Sequence, residues 1–353
     1  MRRPTGQRAR SVGAGSLCVL VASALWGTTG TAATFAPAVG PLAIGAVAMG
    51  LGGLLQALIA APRIAREGPR LRAQRGVVLL GAMAVALYPL AFYSSMHLAG
   101  VAAGTVVSIG SAPLASALIE RVVDGRRLTR RWMFGAAMGM SGTVLLCVAE
   151  AATAHSAPGA GSVRMTVLGV GLGLVAGLTY ALYSWAAHRL IGRGVSSGAA
   201  MGTVFGIGGV LLLPVLLVTG APLLSSWSNA AVGAYMALVP MLIGYVLFGW
   251  GLAHVPASTA TTLSLLEPAV AAVLAVLIVG ERLPLLGWIG IAAVVGCLAV
   301  LTTPSRTARQ PRAITTTRPT TGAGGHDAPP PGGASVHVTA PSVPTGRGEV
   351  STY

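Results

Sequence analysis

The chain has 353 residues, of which 54% are apolar and 9% charged, and its mean hydropathy is +0.76. A water-soluble domain carries roughly 25% charged residues, so this composition excludes an ordinary soluble enzyme and points to a chain dissolved in lipid. All 23 basic residues are arginine. Without a lysine the chain cannot itself be a P-loop pump, a pyridoxal enzyme or a retinal protein.

The basic segment Met1–Arg10 followed by an apolar run mimics a signal peptide. The run continues to about Pro37, too long for the core of such a peptide, and no lipobox precedes Cys18. An uncleaved first span is expected. Nine more apolar stretches of the length a bilayer needs follow it. The ten predicted spans are 14–36, 40–61, 76–98, 101–122, 132–151, 165–187, 198–220, 230–253, 257–279 and 284–302. Continuous runs such as VLLLPVLLV argue against the alternating strands of a β-barrel. Cys18, Cys147 and Cys297 are far apart within apolar stretches and read as small buried hydrophobes, not a metal or disulfide frame.

Arginine placement sets the expected orientation. With the N-terminus inside, every arginine except Arg164 and Arg282 falls in a cytoplasmic segment. Both termini are then cytoplasmic, and the net charge of +15 belongs to loops facing anionic lipid headgroups. A nucleic-acid partner is not expected, because the arginines lack interleaved aromatics. Trp132, Trp227 and Trp288 fall at span ends and read as aromatic-belt residues. From Pro304 the composition turns to Thr, Pro and Gly, and the tail 304–353 is expected to be disordered.

The two halves look related. Ser111-Ala112-Pro113 parallels Leu266-Glu267-Pro268, and WMFGAA from Trp132 parallels WIGIAA from Trp288. Each half holds five spans, an odd number, so the second must be inserted upside down. The expected fold is therefore all-α and membrane-integral, with ten transmembrane helices as two inverted five-helix repeats. The expected divisions are an N-terminal tail 1–13, a first repeat 14–151, an extracytoplasmic link 152–164, a second repeat 165–303 and the tail 304–353.

ALWGTTG (Ala24–Gly30) resembles the opening motif of EamA-type transporters of the drug/metabolite transporter superfamily. GVAAGTVVSIGSAPLASALIE (Gly100–Glu120) resembles the fourth helix of their first repeat. Leu252–Leu301, with Leu266-Glu267-Pro268 and Gly280-Glu281-Arg282-Leu283, resembles the end of their second. One departure is Asp124-Gly125-Arg126 in place of the Gly-Glu-Arg-Leu pattern in the first repeat. The resemblance implies a secondary carrier of a bacterial cytoplasmic membrane, usually an exporter of amino acids, metabolites or toxic compounds. Importers occur among its relatives. It also implies a central cavity surrounded by helices one, three, four, six, eight and nine.

Glu267 is the leading site candidate. It lies about ten residues into its span, near the membrane centre at 1.5 Å per residue, where a carboxylate is costly and faces a cavity or a partner. Pro268 removes a backbone donor beside it. Such an acid can bind an amine or carry a proton; the alternative is a protonated side chain bonded to a neighbouring helix. Trp26, Tyr180, Tyr183, Tyr88, Tyr245 and Trp250, with Ser108 and Ser111, form a second tier suited to a weakly amphipathic substrate. His97 and His254 read as interfacial polar residues. No cofactor and no metal are expected. The expected partners are a small-molecule substrate, the lipid bilayer and protons as a candidate coupling ion. Glycines four apart (Gly100/Gly104, Gly135/Gly139, Gly169/Gly173/Gly177, Gly202/Gly206) are read as close helix contacts. The GxSxG match at Gly194–Gly198 is rejected as a hydrolase motif, because it falls in a short link between spans. The rival readings are an importer and a membrane enzyme acting on a lipid-linked substrate. The latter suits poorly a chain whose one deep acid is Glu267.

Overall fold

A computed structural model describes residues 5–153, 163–280 and 282–303. The expectations for the tail 304–353 and for most of the link 152–164 lie outside the described residues. Among the described residues ten helices are long and apolar enough to cross a membrane: α1 (Val12–Ala33), α2 (Pro41–Ala73), α3 (Arg75–Ala99), α4 (Ala103–Asp124), α5 (Arg130–Ala149), α6 (Arg164–Gly192), α7 (Ser197–Thr219), α8 (Trp227–Leu252), α9 (Ala257–Ile278) and α10 (Leu285–Thr302). Among the described residues there is no strand. Large apolar side chains such as Leu58, Leu118, Val167 and Leu217 stand exposed on the outer surface, which suits a lipid solvent and would be untenable in water.

Turn chemistry sets several helix ends. α9 stops at Gly280, whose φ of +80° closes the helix in the left-handed region. Ser196 caps α7, its side-chain oxygen accepting from Ala199 N at 3.4 Å. The serine of the GxSxG match is therefore a helix cap. α2, at 33 residues, rises about 50 Å and outruns a hydrocarbon core of about 30 Å. Its overhang, from Pro62 to Ala73, carries Arg63, Arg66, Arg70 and Arg72.

The halves exchange with one another in the packing. α6 packs on α3 and α4, and α1 packs in the same way on α8 and α9. The equivalent pairs α2–α7 and α5–α10 lie side by side. Gly53 meets Phe205 while Ala60 meets Gly202; Gly135 meets Leu301 while Gly142 meets Gly290. In each pair residue numbers rise on one helix as they fall on the other, so equivalent helices run antiparallel. That is the relation an inverted repeat requires.

Glycine lets these backbones touch. A Cβ on Gly142 would stand 2.7 Å from the Gly290 carbonyl oxygen, and one on Gly290 would stand 2.7 Å from that of Gly142. Without a hydrophobic force between helices in lipid, such close approach supplies much of the association. Trp132 departs from the aromatic-belt expectation. It is buried, and its Nε1 donates to Ser258 O at 3.4 Å, whereas Trp227 is 92% exposed and Trp288 49%.

Candidate functional site

Three of the helices around the centre depart from regular α geometry. α2 contains a π-helical segment at Ala46–Leu51, and α8 contains one at Ala237–Ile243 around Pro240. α9 breaks at Ser264–Leu265 and ends in a third π segment, Ala275–Val279. The break has a local cause. Pro268 has no N–H for the Ser264 carbonyl, which instead accepts the Glu267 N–H at 3.0 Å and tightens the turn. Glu267 therefore sits at the first turn of the second piece of α9.

Carbonyls loosened by the α8 segment are satisfied from the other half. Trp26 Nε1 donates to Pro240 O at 2.9 Å, and Gln56 Nε2 donates to Met241 O at 3.2 Å. Irregular backbone at membrane depth persists only where protein re-satisfies it. Gly27, beside Trp26 in the ALWGTTG motif, brings α1 against the Glu267 backbone. A Cβ there would stand 2.8 Å from the Glu267 carbonyl oxygen.

A cavity of about 810 Å³ opens between the halves. Its walls come from α1, α2, α3, α4, α5, α8 and α9, and its rim includes the exposed residues Thr34, Pro37, His97 and Arg282. It opens at the end bearing the α1–α2, α3–α4 and α9–α10 connections, opposite the arginine-rich end. Its depth reaches Trp26, Thr29, Phe92, Tyr93 and Glu267. A second void of about 40 Å³ shares those five residues and adds Tyr88, Tyr180, Tyr183 and Tyr245. Glu267 thus stands where the wide cavity narrows onto a floor of aromatic rings.

That floor is continuous. The Trp26 ring lies 4.8 Å from that of Tyr245 and 6.4 Å from that of Tyr180, while Tyr88 contacts both Tyr180 and Tyr183. Three tyrosine hydroxyls are tied off within it. The Tyr183 and Tyr245 hydroxyls share a hydrogen bond of 2.8 Å, and the Tyr180 hydroxyl donates to Ser264 Oγ at 2.7 Å. The Glu267 carboxylate, by contrast, has no hydrogen-bond or ion-pair partner among the described residues.

The structure brings Glu267, Pro268, Trp26, Tyr88, Tyr180, Tyr183 and Tyr245 together at the two voids. It places three others elsewhere. Trp250 is 39% exposed and its ring lies 4.1 Å from that of His254, away from both voids. Ser108 and Ser111 are in the α4–α6 contact against Gly177. Thr29, Phe92, Tyr93, Met96 and His97 line the voids without having been singled out for them. Thr29 was within reach of sequence reasoning, since it belongs to the ALWGTTG motif. Cys147 is buried and borders the cavity.

The sequence profile of the EamA-like transporter family matches residues 13–148 and again 167–303. The chain belongs to this family. It is therefore a transporter and not an enzyme, and its apolar helices make it a multi-pass membrane protein. Among its relatives is the uncharacterized transporter YwfM of Bacillus subtilis strain 168. The two are 33% identical over 292 residues, 82% of this chain and 94% of the relative. A probable terminal-alkyne amino-acid exporter of Streptantibioticus cattleyicolor is 27% identical over 76% of this chain and 90% of its own. A protein of known crystal structure superposes with a TM-score of 0.65 over 81% of this chain and 95% of its own. At 24% identity that likeness shows the fold alone.

Proposed function

We propose that the protein is a secondary carrier that exports a small metabolite across a bacterial cytoplasmic membrane by alternating access. The cargo class is an amino acid, an amino-acid derivative or a drug-like compound with an amine. One observation carries this reading: an open cavity between the repeats ends on a carboxylate with no partner among the described residues. A volume of about 810 Å³ falls within the roughly 300–1,000 Å³ of small-molecule sites. Apolar and aromatic walls accept an apolar body. Neutralising a carboxylate at membrane depth takes a cation or a proton. Glu267 supplies one such position, and amine cargo and protons compete for it.

The arginine-rich end is cytoplasmic on this reading, as the bias of basic residues favours. Both termini are then inside, and the cavity faces outward. The repeats 14–151 and 165–303 are the units that rock about the site. The exporter among the relatives supports the outward direction. Uptake by the same cavity is the second reading, since an outward-facing site accepts cargo from outside as readily as it releases it.

The test is a comparison of extracellular metabolites from cells overproducing the protein and from empty-vector cells. Enrichment of an amine-bearing compound outside the producing cells supports export. Depletion of such a compound from the medium, with no enrichment, overturns export in favour of uptake.

A further inference from the structure

The two ends of the bundle are bridged between the halves by different chemistry. On the arginine-rich end three carboxylates of the first half each reach into the second. Glu67 on α2 accepts from Ser196 N, at the start of α7, at 2.8 Å. Asp124, at the end of α4, accepts from Trp185 Nε1 at 2.7 Å and pairs with Arg189, both on α6. Glu120 on α4 reaches α9: its Oε1 accepts from Ser258 N at 3.2 Å and its Oε2 from Ser258 Oγ at 2.7 Å. At the cavity end, the described cross-half bonds are neutral. Ser228 Oγ donates to Phe35 O at 2.9 Å, and nearer the centre the Thr28 and Tyr235 hydroxyls pair at 2.6 Å. Charge-assisted bonds are about twice as strong as neutral ones, and the bundle is open at the end that lacks them.

Glu120 differs from the other two carboxylates in its burial and its partner. Its side chain is 3% exposed, and its Arg126 neighbour lies at 3.7 Å with 47% of its own side chain exposed. Pro256 occupies the N-cap position of α9 and offers no side-chain acceptor. The orphan N–H of Ser258 is therefore capped from outside the helix, by a residue of the other half. The piece of α9 so held, Ala257–Leu263, ends at the break that immediately precedes Glu267.

We propose that Glu120 is the positioning residue of the transport cycle that keeps the cytoplasmic end closed, by clasping the first piece of α9 to the first repeat. Release of the two Ser258 bonds frees that piece to swing at Ser264–Leu265, which opens the arginine-rich end and turns Glu267 toward it. Closing the clasp restores the arrangement seen here, open at the opposite end. Glu67 and Asp124 tie α7 and α6 to the first repeat on either side.

The test is a distance measurement between spin labels at Arg127 and Ala253, both exposed, beyond the end of α4 and before the start of α9. Labels are introduced as cysteines after Cys18, Cys147 and Cys297 have been replaced, and the protein is studied in lipid nanodiscs without substrate. The parent should show one dominant short distance. Glu120→Gln should raise the ratio of long to short distances at least about tenfold, and Ser258→Ala should raise it less, because the backbone bond survives. If Glu120→Gln does not fold, Ser258→Ala alone decides. A residue that merely stabilised the fold would lower the melting temperature and leave the distances unchanged. Unchanged distances in every variant that folds would overturn the clasp. Because no cargo is present, that failure is independent of whether the protein exports anything.

Discussion

Glu267→Gln should abolish most transport while leaving the protein folded and in the membrane at the parental level. The carboxylate has no partner among the described residues, so an isosteric amide removes no internal bond and should leave the melting temperature within a degree or two. What it removes is the charge. Depriving a buried ion pair of one partner costs about 3–5 kcal/mol, which is on the order of a hundredfold or more in rate if the cationic cargo or the proton pairs with Glu267 in the cycle. Glu267→Asp keeps the charge one methylene short and should retain a measurable fraction. The check is the rate of cargo movement at matched expression. A Glu267→Gln protein with parental transport would reduce this residue to packing.

The second large effect is on the fold. Gly177→Val should destabilise the protein severely, whereas Gly171→Val on the same helix should be silent. A Cβ on Gly177 would stand 2.0 Å from Ser111 Oγ and 2.7 Å from the Ser108 carbonyl oxygen, while one on Gly171 meets nothing within 4 Å. Overpacking commonly costs about 1–3 kcal/mol, and here the obstacle includes backbone of α4 that cannot rotate away. α6 packs on α4 and also carries Tyr180 and Tyr183 to the aromatic floor, so forcing these helices apart dismantles the site as well. Thermal unfolding in detergent with the two variants side by side is the check. Equal melting temperatures would show that the α4–α6 contact is not close-packed.

The spans and the repeat were legible in the sequence because both rest on signals that survive without side-chain geometry. Twenty apolar residues mark a span whatever they pack against, and the paired prolines and tryptophans mark two related units. The Glu267-Pro268 pair was legible for the same reason: an acid and a missing N–H inside a hydrophobic run violate the local pattern. Other features depended on where neighbouring helices come to lie. Nothing in the local sequence of Tyr93 and Phe92 separates them from an aromatic such as Trp250, which faces away from the void. Trp250 and Tyr245, five residues apart on α8, end on different faces. Ser108 and Ser111 looked suited to a cavity but are taken up by the approach of Gly177.

Trp132 and Glu120 show the same limit at the arginine-rich end. Each sits where hydropathy falls, so position along the span suggested a belt residue for Trp132 and gave Glu120 no role beyond its place in a motif. Both in fact converge on Ser258, at a separation in sequence that no local pattern reports. The three π segments were likewise hidden, although Pro240 and Pro268 mark two of the places where the ladder is disturbed.

On the proposed orientation, the cavity ending at Glu267 opens outward, at the end away from the arginine-rich face. Thr29, within the ALWGTTG motif, lines both voids. A single cysteine at this position, with Cys18, Cys147 and Cys297 replaced, can be probed with a membrane-impermeant thiol reagent. Intact cells expose the outer end, and inverted membrane vesicles expose the cytoplasmic end. The cysteine should react at least about tenfold faster in cells than in vesicles, and transport should fall with the extent of labelling. Faster reaction in vesicles would place the opening on the cytoplasmic side, and full labelling that leaves transport intact would remove the cavity from the transport path.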